Sequence, residues 1–511
     1  MAKEKKTDKK VSNNKDVKTK SAKGSGQKKA EQKGSDLKSK EPKSSGQLLA
    51  DKLFFTIKNS WDSVDGKAEK EIEAFASAYR EMLNKGKTER EFSSLAVSML
   101  KKNGFTELKY PASVKPGDKV YQHLRGKALI AAVVGKKPLA QGINILGAHV
   151  DSPRLDLKQN PLYEDNDFAL LDTHYYGGIK KYQWTTIPLA MHGVFIDPDG
   201  KEISVTIGES DDDPVFTITD LLPHLAQDQM MKKGSEVVEG EDLDVLAGSW
   251  PYNDEKVKEK VKLRILSILN ERYGINEQSF ASAEIEFVPA FKARDLGLDR
   301  SMIGAYGHDD KCCAYPALRA VMEIARETSA KNLPEKTVLC YFSDKEEIGS
   351  YGNTGATSNG FENFIAALSG EAALRRCLSN SCMLSADVNA AFDPSYASVF
   401  DKRNSSYMGK GLVLTKYTGS RGKYGASDAN AEFCSRVQSL MNRNKIPWQF
   451  GELGKVDKGG GGTIALHAAK YDMEVMDCGV PVLSMHSPFE VISKVDLYTA
   501  YRGYLAFLRE I

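Results

Sequence analysis

One short stretch, residues 336–350 with the sequence KTVLCYFSDKEEIGS, most constrains what this chain can fold into. Its first part, residues 338–342, is an apolar run of strand length that is rich in β-branched and aromatic residues. The run ends in a polar turn that holds two adjacent carboxylates, Glu346 and Glu347. Because open α/β sheets bind ligands at the carboxyl edge of their strands, we expect both side chains at such an edge. A Glu-Glu pair alone is more typical of a solvated acidic turn.

The length and composition limit the classes of protein to consider. A chain of 511 residues exceeds what one hydrophobic core usually holds, so we expect two domains. No stretch approaches the roughly 18 uncharged apolar residues that cross a bilayer, and the N-terminus shows no secretory signal. The seven cysteines are odd in number and lack a zinc-like spacing, which indicates reduced thiols. We therefore expect a cytoplasmic protein that does not enter membranes.

The first residues differ from the rest in charge and composition. Residues 1–46 carry 15 Lys against 6 Asp and Glu, and no aromatic residue. Such a segment cannot bury enough apolar surface to offset its chain entropy, so we predict a disordered basic tail over residues 1–47. A solubilising extension fits this composition better than a polyanion-binding tail. Without aromatic residues between the lysines, stacking on single-stranded nucleic acid is not expected.

The middle of the chain departs from the alternation of helix and strand that precedes and follows it. Residues 188–196 and 202–208 are predicted strands joined by the turn sequence Asp-Pro-Asp-Gly. An amphipathic helix is predicted over residues 255–273, closed by Gly274. We therefore predict a discontinuous α/β domain, interrupted by an inserted, largely β domain. The α/β part would comprise residues 48–157 and 296–511, and the insertion residues 158–295.

Side chains that bind metals recur where predicted strands end. Alone, each is weak evidence, because a single His is more often a structural residue. Together, two His, two Asp and one or two Glu fit a pair of zinc-like ions that share a carboxylate. His149 and Asp151 lie two apart, so they emerge on the same face. The candidates are His149 and Asp151 after the run 143–148, Asp309 before a helical run, Asp387 after the run 382–386, and His486 at the end of the run 480–486.

This set of side chains predicts hydrolytic chemistry. Paired metal ions sit about 3.5–4 Å apart and clamp the attacking water and the oxygen of the scissile carbonyl. A carboxylate must then carry the proton of the water to the leaving amine. Glu346 and Glu347 can divide these tasks, one as a ligand and the other as the proton carrier.

Five motifs occur in a fixed order along the chain: GAHVDSP, YGHDDK, SDKEEIGS, SADVN and VLSMHSPFE. Together they resemble the aspartyl aminopeptidase and vacuolar aminopeptidase I family of dinuclear zinc peptidases, over roughly residues 48–511. The resemblance implies an α/β fold, a zinc-peptidase-like α/β sandwich with a mixed central sheet, interrupted by a β-rich dimerisation and assembly domain. It also implies removal of one N-terminal residue from peptides with a free N-terminus, by a dimer-based homo-dodecamer.

The resemblance also implies roles for individual residues. Glu346 would be the proton shuttle, and Asp151 would be the outer partner of a zinc-binding histidine. Many relatives have Asp-Asn where this chain has Asp309-Asp310, so Asp310 stays an alternative for the bridging ligand. The cofactors would be two divalent ions, zinc foremost, with cobalt or manganese as alternatives. The implied ligands are His149 and Asp387 on one ion, Glu347 and His486 on the other, and Asp309 between them.

Two residues outside the metal motifs are implied in substrate binding. His224, in LLPHLAQDQ, matches a family histidine that reaches a neighbouring subunit's site and there bonds the substrate or the developing oxyanion. An ordinary exposed loop histidine is an equal alternative. Lys416 lies near the position of a family lysine that is implicated in binding acidic side chains, but the match needs a one-residue insertion. In addition, Ala390 stands where some relatives carry a further His. A preference for N-terminal Asp or Glu therefore stays open.

The predicted function is that of a metallo-aminopeptidase, and two kinds of alternative remain. An acylase or a carboxypeptidase of the same zinc-peptidase group would share the metal ligands but would not need a free α-amine. A polyanion-binding or scaffold protein, led by the basic tail, would not hold stoichiometric metal.

Overall fold

The computed structural model describes residues 43–197 and 199–511. The described residues up to Thr56 form one compact unit, and those from Ile57 onward form a second. Most of the predicted basic tail, residues 1–42, lies outside the described residues. In the first unit, the helix α1 (Ser45–Leu53) begins with a capping box formed by Ser44 and Gln47. The predicted disordered tail ended at residue 47, but the capping box starts the helix at Ser45. Residues 45–47 are therefore helical and not disordered.

The second unit holds the other helices and all the strands of the described residues. The helices are α2 (Gly66–Lys85), α3 (Glu89–Lys102), α4 (Gln227–Met230), α5 (Lys260–Tyr273), α6 (His308–Glu327), α7 (Gly360–Ser369), α8 (Leu374–Ser379), α9 (Ala431–Arg443), α10 (Ile464–Ala469) and α11 (Lys494–Glu510). The strands are β1 (Thr106–Glu107), β2 (Lys119–Leu124), β3 (Ala128–Val133), β4 (Ile143–His149), β5 (Arg154–Asp165), β6 (Phe168–Tyr176), β7 (Leu189–Ile196), β8 (Glu202–Ile207), β9 (Val245–Gly248), β10 (Glu284–Pro289), β11 (Arg294–Leu296), β12 (Met302–Ala305), β13 (Thr337–Ser343), β14 (Cys382–Ser385), β15 (Asn389–Ala390), β16 (Leu412–Thr415), β17 (Trp448–Phe450), β18 (Glu474–Gly479), β19 (Pro481–Leu483) and β20 (Glu490–Ser493).

A mixed nine-stranded sheet with the order β1-β2-β3-β13-β4-β14-β18-β16-β17 forms the centre of this unit. Its four middle strands, β13, β4, β14 and β18, run parallel, whereas β3 and β16 flank them in the antiparallel direction. Parallel middle strands are buried on both faces, which explains why the run 338–342 is apolar throughout instead of alternating.

Helices cover both faces of the nine-stranded sheet. Successive strand residues point to opposite faces, so Cys340 and Phe342 pack in one apolar cluster with α2, α3, α6, α9 and α11. Leu339 and Tyr341 pack in the other cluster, with α7, α8 and α10. The predicted α/β sandwich with a mixed central sheet is thereby confirmed.

A second, antiparallel sheet with the order β8-β7-β10-β5-β6-β9 is built entirely from residues 154–289. It packs its own apolar cluster against α5. The predicted hairpin is present, since Ile196 of β7 pairs with Glu202 of β8. The predicted helix begins at Lys260, five residues later than expected, and ends as predicted at Gly274, whose φ of 71° suits glycine.

A smaller sheet with the order β11-β12-β20-β19-β15 lies where β12 leads into α6. Here the prediction of one strand over residues 480–486 is wrong, because β19 ends at Leu483. The chain must reverse direction to pair β20 antiparallel to β19, and Ser484 and His486 adopt positive φ angles of 57° and 64° to do so. His486 therefore lies in a turn and not at a strand end.

Two further features concern the chain's chemical setting. None of the described helices is both long enough and apolar enough to pass through a bilayer. Each of the seven cysteines is buried and free, as predicted for reduced thiols.

Candidate metal centre

The carboxyl ends of three neighbouring parallel strands, β13, β4 and β14, meet at one edge of the central sheet. In the pairing of β13 with β4, Ser343 lies opposite His149. In the pairing of β14 with β4, Ser385 lies opposite Gly147. The residues that follow these strands therefore converge, as expected for a ligand-binding edge of an α/β sheet.

Two groups of metal-binding side chains form at this edge, and they share Asp309. The first comprises His149, Asp309 and Asp387, and the second comprises Asp309, Glu347 and His486. Within each group the candidate ligand atoms lie within 4.8 Å of one another. Asp309 Oδ1 is 3.1 Å from His149 Nε2, and Asp309 Oδ2 is 3.3 Å from His486 Nε2. The two oxygens of one carboxylate thus face the two groups.

Backbone contacts hold Asp309 in place at the start of α6. Its N–H donates to Glu490 Oε2 at 3.1 Å, and its carbonyl accepts the hydroxyl of Ser152 at 2.8 Å. The neighbouring carboxylate of Asp310 points elsewhere, since its Oδ2 accepts the backbone N–H of His149 at 3.3 Å. The geometry therefore places Asp309, and not Asp310, between the two groups.

The second group brings together side chains from distant parts of the chain. Glu347 Oε2 lies 3.5 Å from His486 Nε2. The other ring nitrogen of His486 donates to the carbonyl of Gly178 at 3.0 Å, which leaves Nε2 free to face the carboxylates. The backbone N–H of His486 donates to Glu490 Oε1 at 2.8 Å. Glu490 thus orients both Asp309 and His486.

Asp151 lies fully buried behind the first group. Its Oδ1 is 3.2 Å from His149 Nδ1, so it orients the imidazole. It also accepts the backbone N–H groups of Glu346 and Glu347, at 3.2 and 3.1 Å, and the hydroxyl of Tyr176 at 2.9 Å. Burial raises the pKa of Asp151, but the hydrogen bonds from His149 and Tyr176 and the charge of His149 outweigh it and lower this pKa to about 2.

Glu346 sits at the rim of the centre, outside both ligand groups. Its Oε2 is 3.9 Å from His149 Nε2. Burial, followed by the negative charges of Asp151 and Asp309, raises the pKa of Glu346 to about 7, against the opposing charge of His149. A carboxyl group with this pKa can both accept and release a proton near neutral pH.

The centre carries more carboxylates than cationic groups. Burial raises the pKa of Glu347 well above its usual value, and the negative charge of Asp309 adds to this effect. Burial likewise raises the pKa of Asp387. Glu347 Oε1 is buried and finds no hydrogen-bond partner among the described residues. Uncompensated buried carboxylates are costly, so this set of His, Asp and Glu oxygens and nitrogens fits divalent cations such as zinc.

The two predicted substrate-binding residues lie apart from these ligands. His224 is exposed in the turn of residues 223–225, and nothing in the described part of the chain joins it to the centre by a hydrogen bond or ion pair. Lys416 follows β16 directly, and its Nζ pairs with Asp428 Oδ1 at 2.6 Å. Thr415 pairs with Asp477 of β18, which pairs with Ser385 of β14. Because β16 runs antiparallel to β18, the chain passes from Thr415 to Lys416 away from the carboxyl edge of the parallel strands.

Comparison with known proteins identifies the family. Residues 82–508 match the family model described as aminopeptidase I zinc metalloprotease (M18). The chain belongs to the M18 family. It is 52% identical over 461 residues to a probable M18 family aminopeptidase 1 of Clostridium acetobutylicum, covering 88% of this chain and 98% of that protein. The crystal structure of an M18 aminopeptidase from Thermotoga maritima superposes with a TM-score of 0.84 at 46% identity, covering 90% of this chain and all of that one.

A solved structure of lower sequence identity shows the same fold. The dodecamer of S. cerevisiae mApe1 superposes with a TM-score of 0.71 at 21% identity, covering 86% of this chain and 97% of that one. M18 membership confirms the predicted activity, that of a zinc-dependent aminopeptidase, over an acylase, a carboxypeptidase or a non-enzymatic scaffold.

Two residues of the centre were missed by the reasoning from sequence. Glu490 stands four residues after His486 in the motif VLSMHSPFE, so a carboxylate this close to a predicted ligand was a usable signal. Tyr176 carries no such signal, because it ends a strand of the six-stranded sheet, far in sequence from each of the five motifs.

Proposed function

We propose that this M18 aminopeptidase binds two divalent ions, zinc foremost, and uses them to hydrolyse the first peptide bond of peptides with a free N-terminus. His149 and Asp387 would hold one ion, Glu347 and His486 the other, and Asp309 would bridge them. The observation that carries this proposal is that two ligand groups share Asp309, one on each carboxylate oxygen.

The chain's own residues would move the proton. When bound, the ions lower the pKa of water and polarise the scissile carbonyl. Glu346 would take the proton of the attacking water and deliver it to the leaving amine, because its carboxyl lies beside the ligands, with Oε2 3.9 Å from His149 Nε2, and belongs to neither ligand group. Asp151 would hold the ring of His149 in the orientation that presents Nε2.

For the N-terminal side chain, we propose that Lys416 favours Asp and Glu only weakly. Lys416 is the residue predicted to bind acidic side chains, but Asp428 already pairs with it at 2.6 Å and with Lys423 at 2.9 Å. An acidic substrate would have to compete with Asp428 for the ammonium group.

We propose that the chain forms a homo-oligomer through residues 158–295, the segment predicted as an inserted assembly domain. Several large apolar side chains are exposed along residues 215–252, which is typical of an interaction surface. The S. cerevisiae relative is a dodecamer, which supports this assembly. In such an assembly the exposed His224 would reach the site of a neighbouring subunit. The exposed apolar residues are Val215, Leu221, Leu222, Leu225, Met230, Met231, Trp250 and Tyr252.

We further propose a reducing, cytoplasmic setting. The free and buried state of all seven cysteines supports it. Burial raises the pKa of Cys340 to about 12 and that of Cys312 to about 11, so these thiols stay protonated and unreactive.

The activity is tested with one peptide in two forms, with a free and with an acetylated N-terminus, together with metal analysis of the purified protein. We expect the free peptide to lose its first residue, the acetylated peptide to stay intact, and two equivalents of metal per chain. Cleavage of the acetylated peptide at a similar rate would contradict the aminopeptidase proposal. One equivalent of metal would contradict the two-ion centre.

A further inference from the structure

The segment of residues 176–178, Tyr-Gly-Gly, leaves the six-stranded sheet at the end of β6 and runs along both ligand groups. Tyr176 is buried, and its hydroxyl donates to Asp151 Oδ2 at 2.9 Å. Asp151 in turn orients His149, the histidine of the first group. The hydroxyl and the imidazole therefore contact different oxygens of the same carboxylate.

The two glycines bring the backbone against the second group. The carbonyl of Gly178 accepts the N–H of His486 Nδ1 at 3.0 Å, and a Cβ at Gly178 would lie 3.3 Å from that nitrogen. A Cβ at Gly177 would lie 3.2 Å from Glu347 Cβ and 3.3 Å from its Oε2, and Gly177 has a φ of 77°. Only glycine lets the chain approach these two side chains so closely without displacing them.

A buried charged network anchors this segment in the six-stranded sheet. Tyr176 pairs with Arg154 across β5 and β6, and the guanidinium lies 3.8 Å from the centroid of the tyrosine ring. Arg154 is buried and pairs with Asp156 at 2.7 Å, Glu286 at 3.2 Å and Glu89 at 3.5 Å. Glu286 lies on β10 of the same sheet and Glu89 on α3. Arg154, itself held by three carboxylates, therefore holds the ring of Tyr176 in place.

We propose that the 176–178 segment is a positioning element through which the six-stranded sheet sets the metal affinity of the centre. Tyr176 acts on the first ligand group through Asp151, and Gly178 acts on the second through His486. The inference rests on the proposed two-ion centre. Groups that orient metal ligands in this way typically contribute 10–100-fold to metal affinity or activity.

The test compares two variants with a matched control. Tyr176→Phe removes the hydroxyl but keeps the ring beside Arg154, and Gly178→Ala crowds His486. The control is Tyr163→Phe on β5 of the same sheet, which removes a tyrosine hydroxyl that donates to the carboxylate of Asp244 and not to Asp151. The measurement is the zinc dissociation constant of each full-length protein, by competition with a chromophoric chelator. Thermal unfolding of the metal-free proteins shows whether each variant is folded.

We expect Tyr176→Phe and Gly178→Ala to raise a zinc dissociation constant by about 10–100-fold, and Tyr163→Phe to keep the parent value. Tyr176→Phe should weaken the binding of the ion in the first ligand group. Gly178→Ala should weaken the binding of the ion in the second. If the parent binds two ions and both variants keep its affinity, the positioning role is overturned and the two-ion centre stands. If Tyr163→Phe loses as much zinc affinity as Tyr176→Phe, then the loss follows from removing any tyrosine hydroxyl of this sheet. That result overturns the proposal. A parent that binds no zinc overturns both proposals.

Discussion

At the scale of single residues, two adjacent glutamates have different surroundings. The side chain of Glu347 belongs to a ligand group and lies 3.5 Å from His486 Nε2. Glu346 belongs to neither group, and burial raises its pKa to about 7. The two glutamates are separated by position: Glu347 is placed among the candidate ligand atoms, whereas the carboxyl of Glu346 stays outside both groups and is left to exchange a proton.

Replacing Glu346 by Gln should abolish most of the activity without loss of metal. The amide cannot take a proton from the attacking water, so we expect kcat for an aminoacyl-anilide to fall by about 10²–10⁴, with the zinc content unchanged. The matched control is Glu371→Gln, at an exposed position outside the motifs. A Glu346→Gln enzyme with nearly the parent kcat would contradict the proton-carrier role.

Replacing Asp428 by Asn should change the preference for the N-terminal side chain. The variant removes the carboxylate that pairs with Lys416 and Lys423, so we expect kcat/KM for an N-terminal Asp substrate to rise relative to that for Leu. An ion pair of this exposure is worth up to about 1 kcal/mol, which corresponds to a change of up to about fivefold. Asp62→Asn, the same change at a distant exposed position, serves as the control. An unchanged Asp-to-Leu ratio would exclude Lys416 from the substrate site.

At the scale of elements, Glu91 in the capping box of α3 joins this helix to the six-stranded sheet. Glu91 Oε2 accepts the backbone N–H groups of Lys87 and Thr88, which completes the capping box. Its Oε1 lies 2.8 Å from His192 Nδ1 on β7, and His192 Nε2 lies 3.1 Å from Glu209 Oε1. Burial lowers the pKa of His192, but the hydrogen bonds to Glu209 and Glu91 outweigh it and raise this pKa.

This junction predicts a pH dependence of stability. The pKa of His192 is raised on folding. Its contribution to the free energy of unfolding is therefore complete below the unfolded pKa of about 6.5 and is lost as the pH rises through the folded pKa. Each pH unit between the two values costs about 1.4 kcal/mol of unfolding free energy. We expect the thermal midpoint of the parent to fall more between neutral and alkaline pH than that of His192→Gln. The control His467→Gln should show the same fall in thermal midpoint as the parent. If the thermal midpoints of the parent and of His192→Gln fall equally with pH, the prediction is contradicted.

Elements with a strong local signal were predictable. The buried face of α2 consists of the apolar residues that recur at helical spacing, among them Phe75 and Tyr79. The capping box of Thr88 and Glu91 begins α3, and Gly274 ends α5. The turn that holds His486 was missed, because an apolar run does not show where the chain must reverse to pair with a later strand.

At the scale of the whole molecule, the exposed apolar residues of 215–252 predict assembly. We expect light scattering to give the parent a mass of several chains, and the double variant Leu225→Glu, Met231→Glu to give a smaller one. These side chains are 68% and 87% exposed, so charge there should disrupt an interface and leave the fold intact. Leu298→Glu, at another fully exposed leucine outside residues 158–295, is the control. A monomeric parent would refute the assembly.

The sequence by itself determined the α/β class and, through five ordered motifs, the family, and it named the side chains that the two groups bring together, because these depend on local patterns. An apolar run followed by a carboxylate identifies a strand and a candidate ligand without knowledge of its neighbours. Only the tertiary structure decided that Asp309 faces both groups, that Glu346 stands outside them, and that Tyr176 and Gly178 form hydrogen bonds with Asp151 and His486. These facts depend on distances between atoms far apart in the chain, which strand pairing and sheet packing set and local sequence does not encode.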